Sequence, residues 1–293
     1  YAGLNNIKTI NDNAGIAPVS VDPEIIELLS TAKEFYDLSD GEFDVTMGAV
    51  LKIWHTYREE GIALNNEGQL GKVPPLEELT NAKACTGWDK VEIDENAGTV
   101  YLNQSCASLD VGGIAKGFAA GKVQQHLIEA GLVHGTVDAG GNICTINDKP
   151  GGQQWRVGIR NPSGNGSLAV VALPGSAAFV SSGDYERFYG AEDGKLYHHI
   201  IDPQTLFPAT YYHQVTIVTE NSGYADALST ALFTMSYEDG LALIERFRQT
   251  YPDQPIEVMW VMDPDQVPAG ADSVMSGEYA VVMTDSMKDY LAQ

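Results

Sequence analysis

Helical and strand-like hydrophobic patterns follow one another along the whole chain. "VDPEIIELLSTAKEFYDLSDG" sets Ile25, Leu28, Leu29, Ala32 and Phe35 on one face at helical spacing, with Gly41 past its end. "GEFDVTMGAVLKIWHTY" predicts a turn and a second helix, and the polar, Gly/Pro-broken "EGIALNNEGQLGKVPP" predicts a surface loop. "KVEIDENAGTVYLN" alternates as a hairpin turning at residues 95–98. A strand-like run to Leu109 leads into "SLDVGGIAKGF", and a helix continues through "IAKGFAAGKVQQHLIEAG", closed by Gly131. "HGTVDAGGNICTIN" and "WRVGIRNP" read as strands, and "LAVVALPGSAAFVSSGDYERFY" as a strand pair with a glycine turn. "YHHIIDPQTLFPA" reads as a strand ending in a proline turn, and "HQVTIVTENSGYADALSTALFTM" as strand, loop and helix. "IEVMWVMD" and "EYAVVMTD" read as two closing strands. Hairpin-like strands with interspersed helices predict an α+β fold of antiparallel sheets with packed helices, not a doubly wound sheet. No linker or low-complexity tract divides the pattern, so one domain over 1–293 is expected.

Composition narrows the partners. The 293 residues are 44% hydrophobic, ample for a packed core. Seventeen basic residues face forty acidic ones, a net charge of -23, which argues against nucleic acid because Lys and Arg carry that affinity. The same charge opposes any phosphorylated ligand, so a metal ion or a helix N-terminus must supply local positive potential. No run of eighteen apolar residues is present, so nothing in this chain is expected to span a membrane. The sequence opens at Tyr1, without Met, inside a polar segment, and is read as a trimmed or processed product, with the true N-terminus and any targeting signal outside it. Cys85, Cys106 and Cys144 are widely spaced and are expected to be buried free thiols.

Four stretches carry candidate chemistry. Gly112 and Gly117 have the spacing of a GxxxxG phosphate loop, but Phe118 and Ala119 stand where Lys-Ser/Thr is required, and the lysine is Lys116. The dinucleotide pattern GxGxxG fails at Ile114. What survives is either a helix N-terminus open to an anion or a tight strand-to-helix turn with no ligand. In "ADALSTAL", Asp226 and Thr230 lie four apart on one helix face beside Ser229, which suits a hard cation with oxygen ligands or a plain polar helix turn. "YHHIIDPQTLFP" offers a histidine base, or histidines satisfied by strand neighbours. In "GEFD" and after it, Asp44 and Thr46 can cap the following helix.

Taken in order, "GEFDVTMGAVLKIW", "SLDVGGIAKGFAA", "VDAGGNI", "WRVGIRNP", "SSGDYERFY", "HHIIDPQTLFP" and "ADALSTAL" resemble the ApbE-like FAD:protein FMN transferases, from about Leu4 to about Thr284. The resemblance implies a T-fold-like ApbE domain whose first strand and helix precede residue 1. It implies an enzyme that takes FAD as donor, uses Mg²⁺ (or Mn²⁺), joins FMN to a Ser or Thr of a partner protein and releases AMP. Matched to the family's motifs, Glu42, Phe43, Asp44, Asp110, Lys116 and Ile201 are FAD-contacting positions. Gly113 (through its carbonyl), Asp226, Ser229 and Thr230 are metal positions, and His199 and Asp226 are catalytic. His199 is expected to titrate near neutral pH and, on a strand, to face away from His198. Leu206 replaces the glycine usual in "DPxTG", and Ala49 a usual proline. "DVTMGAV" is similar to the acceptor sequence of such enzymes but is assigned to the protein's own FAD loop. The alternatives are an FAD pyrophosphatase giving FMN and AMP, and a non-catalytic FAD-binding surface lipoprotein. By the same resemblance the protein is extracytoplasmic and lipid-anchored.

Overall fold

A computed structural model describes residues 3–164 and 166–292, and these fall into two compact units, one within residues 1–113 and 186–208, the other within 114–185 and 209–293. The division falls inside the glycine loop, between Gly113 and Ile114.

The first unit holds helices α1 (Ile7–Asp12), α2 (Pro23–Leu38), α3 (Gly48–Asn66) and α4 (Leu76–Lys83). Pro23 opens α2 where its missing N–H costs nothing, and Leu28, Leu29, Ala32 and Phe35 bury its inner face. The hairpin Val91–Asp94/Thr99–Leu102 is present as expected, with Val19–Ser20 added at its edge. α3 runs six residues beyond Glu60, into the stretch expected to be a loop. The reason is Gly61: a Cβ there would lie 2.3 Å from the Tyr189 ring, so this glycine permits a close crossing and does not break the helix. The strand-like run to Leu109 ends at Leu102, leaving one parallel bridge from Ser108 to Met47. Trp54 of α3 stacks on Tyr197 at 5.5 Å and donates to the Leu206 carbonyl at 2.8 Å.

Free thiols at Cys85 and Cys106 are not what the structure holds. The two form a disulfide with Cα atoms 5.5 Å apart, and Cys144 is the buried free thiol. Spacing alone cannot show the pairing, because residues 21 apart meet only when the turn after α4 folds against the segment before Ser108. Closing a loop of that size constrains the unfolded chain by about 3 kcal/mol. Reduction, or Cys85→Ser with Cys106→Ser, is expected to lower the urea midpoint by that amount. A shift corresponding to under about 0.5 kcal/mol would show a bond without stabilising weight.

The second unit is built on a seven-stranded antiparallel sheet. Its strand order is Ser273–Ser276, Tyr279–Met283, Glu257–Met262, Gln214–Thr219, Ala178–Gly183, Ile143–Ile146 and Gly135–Asp138. Gln214–Thr219 and Glu257–Met262 are buried at every position, so both faces are covered. Helix α6 (Ser222–Phe233) packs against Ala178–Gly183 and Gln214–Thr219, and α5 (Ala115–Glu129) packs on α6. A separate hairpin, Trp155–Arg160/Ser167–Leu173, places Val157, Ile159 and Val171 against Phe179, Val218, Met259 and Val261. The expected strand pair across Gly175 therefore does not form: Ser167–Leu173 pairs with Trp155–Arg160, and Ala178–Gly183 enters the large sheet. Helix α7 (Tyr237–Thr250) completes the unit.

Candidate functional site

The candidate residues divide between the two units. In the first, backbone hydrogen bonds bring together the two expected FAD-contacting segments. Asp110 N–H donates to the Val45 carbonyl at 2.8 Å and Gly48 N–H to the Ser108 carbonyl at 3.0 Å. Asn11 of α1 fixes the entry to the glycine loop, bonding Leu109 N–H at 2.8 Å and Leu109 carbonyl at 2.9 Å, a role for which no sequence signal points to it. Asp110 accepts from Gly112 N–H at 2.8 Å and is exposed. Asp44 does not cap α3. Its carboxylate accepts from the Thr46 N–H at 2.8 Å and hydroxyl at 2.7 Å, and burial raises its pKa against those bonds. Thr46 is buried and its hydroxyl also accepts from Gly87 N–H at 2.7 Å, so it supports the loop. Phe43 is buried, Glu42 is half-buried, and Ile201 bridges Pro208 across the Asp-Pro turn. Asp202 holds that turn by accepting from Gln204 N–H at 2.6 Å. Leu206 adopts φ 66°, the left-handed conformation that favours the glycine it replaces, and its side chain is buried in the core around Trp54.

The histidines do not lie on a strand, which ends at Tyr197. Their separation comes from the irregular turn that follows. His198 is buried and accepts from Ile200 N–H at 3.2 Å. His199 Nδ1–H donates to the Glu186 carbonyl at 3.2 Å, which leaves Nε2 with a lone pair. His199 does not titrate near neutrality. Burial, then His198, Arg58 and Arg187, push it down to about 3.

In the second unit, Asp226 is 3% exposed on α6 and its carboxylate accepts from Gly117 N–H of α5 at 2.8 Å. It thereby satisfies an N–H in the first turn of the glycine-loop helix, where negative charge is favoured. Burial pushes the carboxyl above its usual range, against the pull of Lys116 and of that N–H. Lys116 donates to the Asn142 side-chain carbonyl at 3.0 Å, which gives the "VDAGGNI" stretch its part. Thr230 lies one turn beyond Asp226 on the same helix face and is half-buried. Ser229 is buried. Its hydroxyl donates to the Asp226 carbonyl at 2.9 Å and meets the Ser182 hydroxyl at 2.9 Å.

Gly117 makes this arrangement sterically feasible. A Cβ there would sit 2.1 Å from the Ser222 carbonyl oxygen and 2.6 Å from Asp226 Cβ, both on α6. Gly117→Ala is expected to push the two helices apart and destabilise by about 2–3 kcal/mol. Gly121, on the same helix, has Ser222 Cβ at 3.8 Å, ordinary contact. Gly121→Ala is therefore expected to be neutral or to stabilise by up to about 1 kcal/mol through helix propensity. Urea unfolding of both variants tests this; similar midpoints would refute the close-packing account.

The ApbE family model matches residues 1–252. The chain is 38% identical over 258 residues to a FAD:protein FMN transferase of Treponema pallidum, covering 82% of this chain and 68% of that protein. It is 28% identical to a FAD:protein FMN transferase of Klebsiella pneumoniae, covering 83% and 72%. Among solved structures, the ApbE protein of Thermotoga maritima superposes with a TM-score of 0.78 at 32% identity, covering 98% of this chain and 84% of that one. The flavin transferase ApbE of Vibrio cholerae gives 0.75 at 25%, covering 97% and 82%.

Proposed function

This chain belongs to the ApbE family and is a flavin transferase, and from that premise we propose that residues 1–293 act as one domain moving FMN from FAD to a Ser or Thr hydroxyl of a partner protein. The acceptor oxygen forms a bond to the FMN phosphorus, the pyrophosphate bridge breaks, and AMP leaves with the bridging oxygen. His199 Nε2 takes the hydroxyl proton and passes it to solvent. Lys116 sets a point charge against the diphosphate, while Glu42, Asp44, Asp110 and the backbone at Phe43 and Ile201 hold the FAD.

The observation that carries this reading is the buried Asp226 carboxylate at the head of the glycine-loop helix. Among the described residues no cluster of three His, Cys, Asp or Glu side chains forms a metal site by itself. One carboxylate with hydroxyl and carbonyl oxygens nevertheless fits Mg²⁺, which takes one or two carboxylates and completes its shell with substrate phosphate and water. Asp226 and Thr230 would hold it, and the Gly113 carbonyl is the further metal position that the resemblance implies. Ser229, engaged with Ser182, is the weaker candidate. When bound, the ion neutralises phosphate oxygens and the charge developing on AMP. The disulfide Cys85–Cys106 supports an extracytoplasmic, oxidising location, where a lipid anchor would hold the protein at the membrane. No helix among the described residues is long and apolar enough to cross a membrane.

Mass spectrometry of protein, FAD, Mg²⁺ and an acceptor protein tests the proposal. Acceptor gaining the mass of FMN minus water, with AMP, is the expected result. Free FMN and AMP alone would make the protein a pyrophosphatase, and unchanged FAD a binding protein.

A further inference from the structure

One face of α3 is turned to the segment that carries His199. Trp54, Arg58, Gly61 and Asn65 follow at steps of four, three and four residues, a single helical stripe. Trp54 meets Tyr197 and the Leu206 carbonyl, and Gly61 lies under the Tyr189 ring. Asn65 exchanges two hydrogen bonds with Gly190, at 2.9 and 2.6 Å. Arg58 therefore sits between two anchored contacts. Arg187 stands two residues before Tyr189, and His199 is tied to the Glu186 carbonyl beside it. The charges of Arg58 and Arg187 act on each other and both act on His199, while the Glu59 and Asp110 carboxylates act on Arg58 in the opposite sense.

This pairing runs against composition. With forty acidic and seventeen basic residues, almost any arginine can find a carboxylate. Yet Arg58 spends its hydrogen bond on His55 Nδ1 at 3.0 Å, and His55 Nε2 takes up the Glu59 carboxylate at 2.8 Å. Neither arginine is ion-paired to a carboxylate among the described residues. Arg187 is exposed and its backbone holds φ 50°, a strained conformation for a non-glycine residue and one that recurs at functional sites. Two guanidinium groups brought near each other with no carboxylate in salt-bridge contact suit a phosphate, whose oxygens match guanidinium forks.

We propose that Arg58 and Arg187 form a phosphate-binding pair beside His199, holding the oxyanion of the phosphoryl group under transfer. The identity of the phosphate's carrier, FMN within FAD, rests on the flavin-transfer reading. A phosphoryl group suits the place better than a distant acidic side chain, because the hydroxyl that His199 deprotonates must approach the phosphorus itself. The same anion would offset the two charges that depress His199, so substrate binding would strengthen the base.

The test is fluorescence titration of the full chain with FMN and with riboflavin, which lacks the phosphate. Arg187→Gly removes the guanidinium and relaxes the backbone, so the fold is kept; Arg58→Gln and Arg58→Lys complete the set. Arg187→Gly and Arg58→Gln are each expected to weaken FMN by about tenfold or more while riboflavin changes less than about twofold. Arg58→Lys, with charge but no fork, should fall between. Unchanged FMN affinity, or equal losses for FMN and riboflavin, would overturn the pair. So would a raised acceptor KM with FMN affinity intact, which would assign the arginines to the acceptor. If the parent binds FMN through the arginines but yields no AMP from FAD, the pair stands and the transfer reading fails.

Discussion

Asp226→Asn is expected to leave the fold standing and to abolish metal-dependent flavin transfer. The substitution separates two roles of one carboxylate. The Asn oxygen can still accept from Gly117 N–H, so the head of α5 keeps its partner. The charge that would hold the cation is lost. Loss of several kcal/mol of electrostatic stabilisation corresponds to about a thousandfold or more in rate. Stability should move the other way. Burial raises the Asp226 carboxyl above its ordinary value, so the unfolded chain gives up that proton first and stability falls as pH rises past about 4. Asn removes that loss, and the metal-free variant is expected to melt at or above the parent temperature at pH 7. Asp226→Ala, by contrast, strands the Gly117 N–H and should cost about 1–3 kcal/mol. Transfer by Asp226→Asn within tenfold of the parent, still abolished by EDTA, would place the cation elsewhere.

His199→Ala is the second large effect, a fall in transfer of about 10²–10⁴-fold with FAD binding retained. The sequence led to an acidic limb near neutrality that this variant would flatten. The structure reverses that expectation. With the imidazole pushed down to about 3, His199 is already neutral in the free protein across pH 5.5 to 8.5, so kcat/KM should show no His199 limb there. The depressed value also has a stability sign. The unfolded histidine takes its proton near 6.5 and the folded one near 3, so stability present above pH 6.5 is lost as pH falls between them. His199→Ala should flatten that loss. His198→Ala should instead cost stability, because His198 is buried and bonded to Ile200 N–H, and should leave the rate within severalfold. Rates of both variants at saturating FAD and Mg²⁺ decide the matter. If His199→Ala transfers at the parent rate, the acceptor hydroxyl is activated by another group.

Short-range pattern made much of the molecule legible. The periodicity of Leu28, Leu29, Ala32 and Phe35 fixed α2, and alternation fixed the Val91–Leu102 hairpin, because both depend on residues within one or two turns of each other. The i,i+4 spacing of Asp226 and Thr230 put both on one helix face for the same reason. Ordered motifs then identified the family. What only the tertiary structure decided are relations between distant positions. Gly61 reads as a helix breaker until Tyr189 is laid against it, and Asp226 as a polar helix turn until Gly117 N–H is brought to its carboxylate. Cys85 and Cys106 read as separate thiols until a turn folds back. His199 reads as an ordinary imidazole until burial and two arginines, from positions 58 and 187, depress it. Sequence sets local geometry because backbone periodicity acts over a few residues; burial and through-space charge exist only after long-range closure brings such groups together.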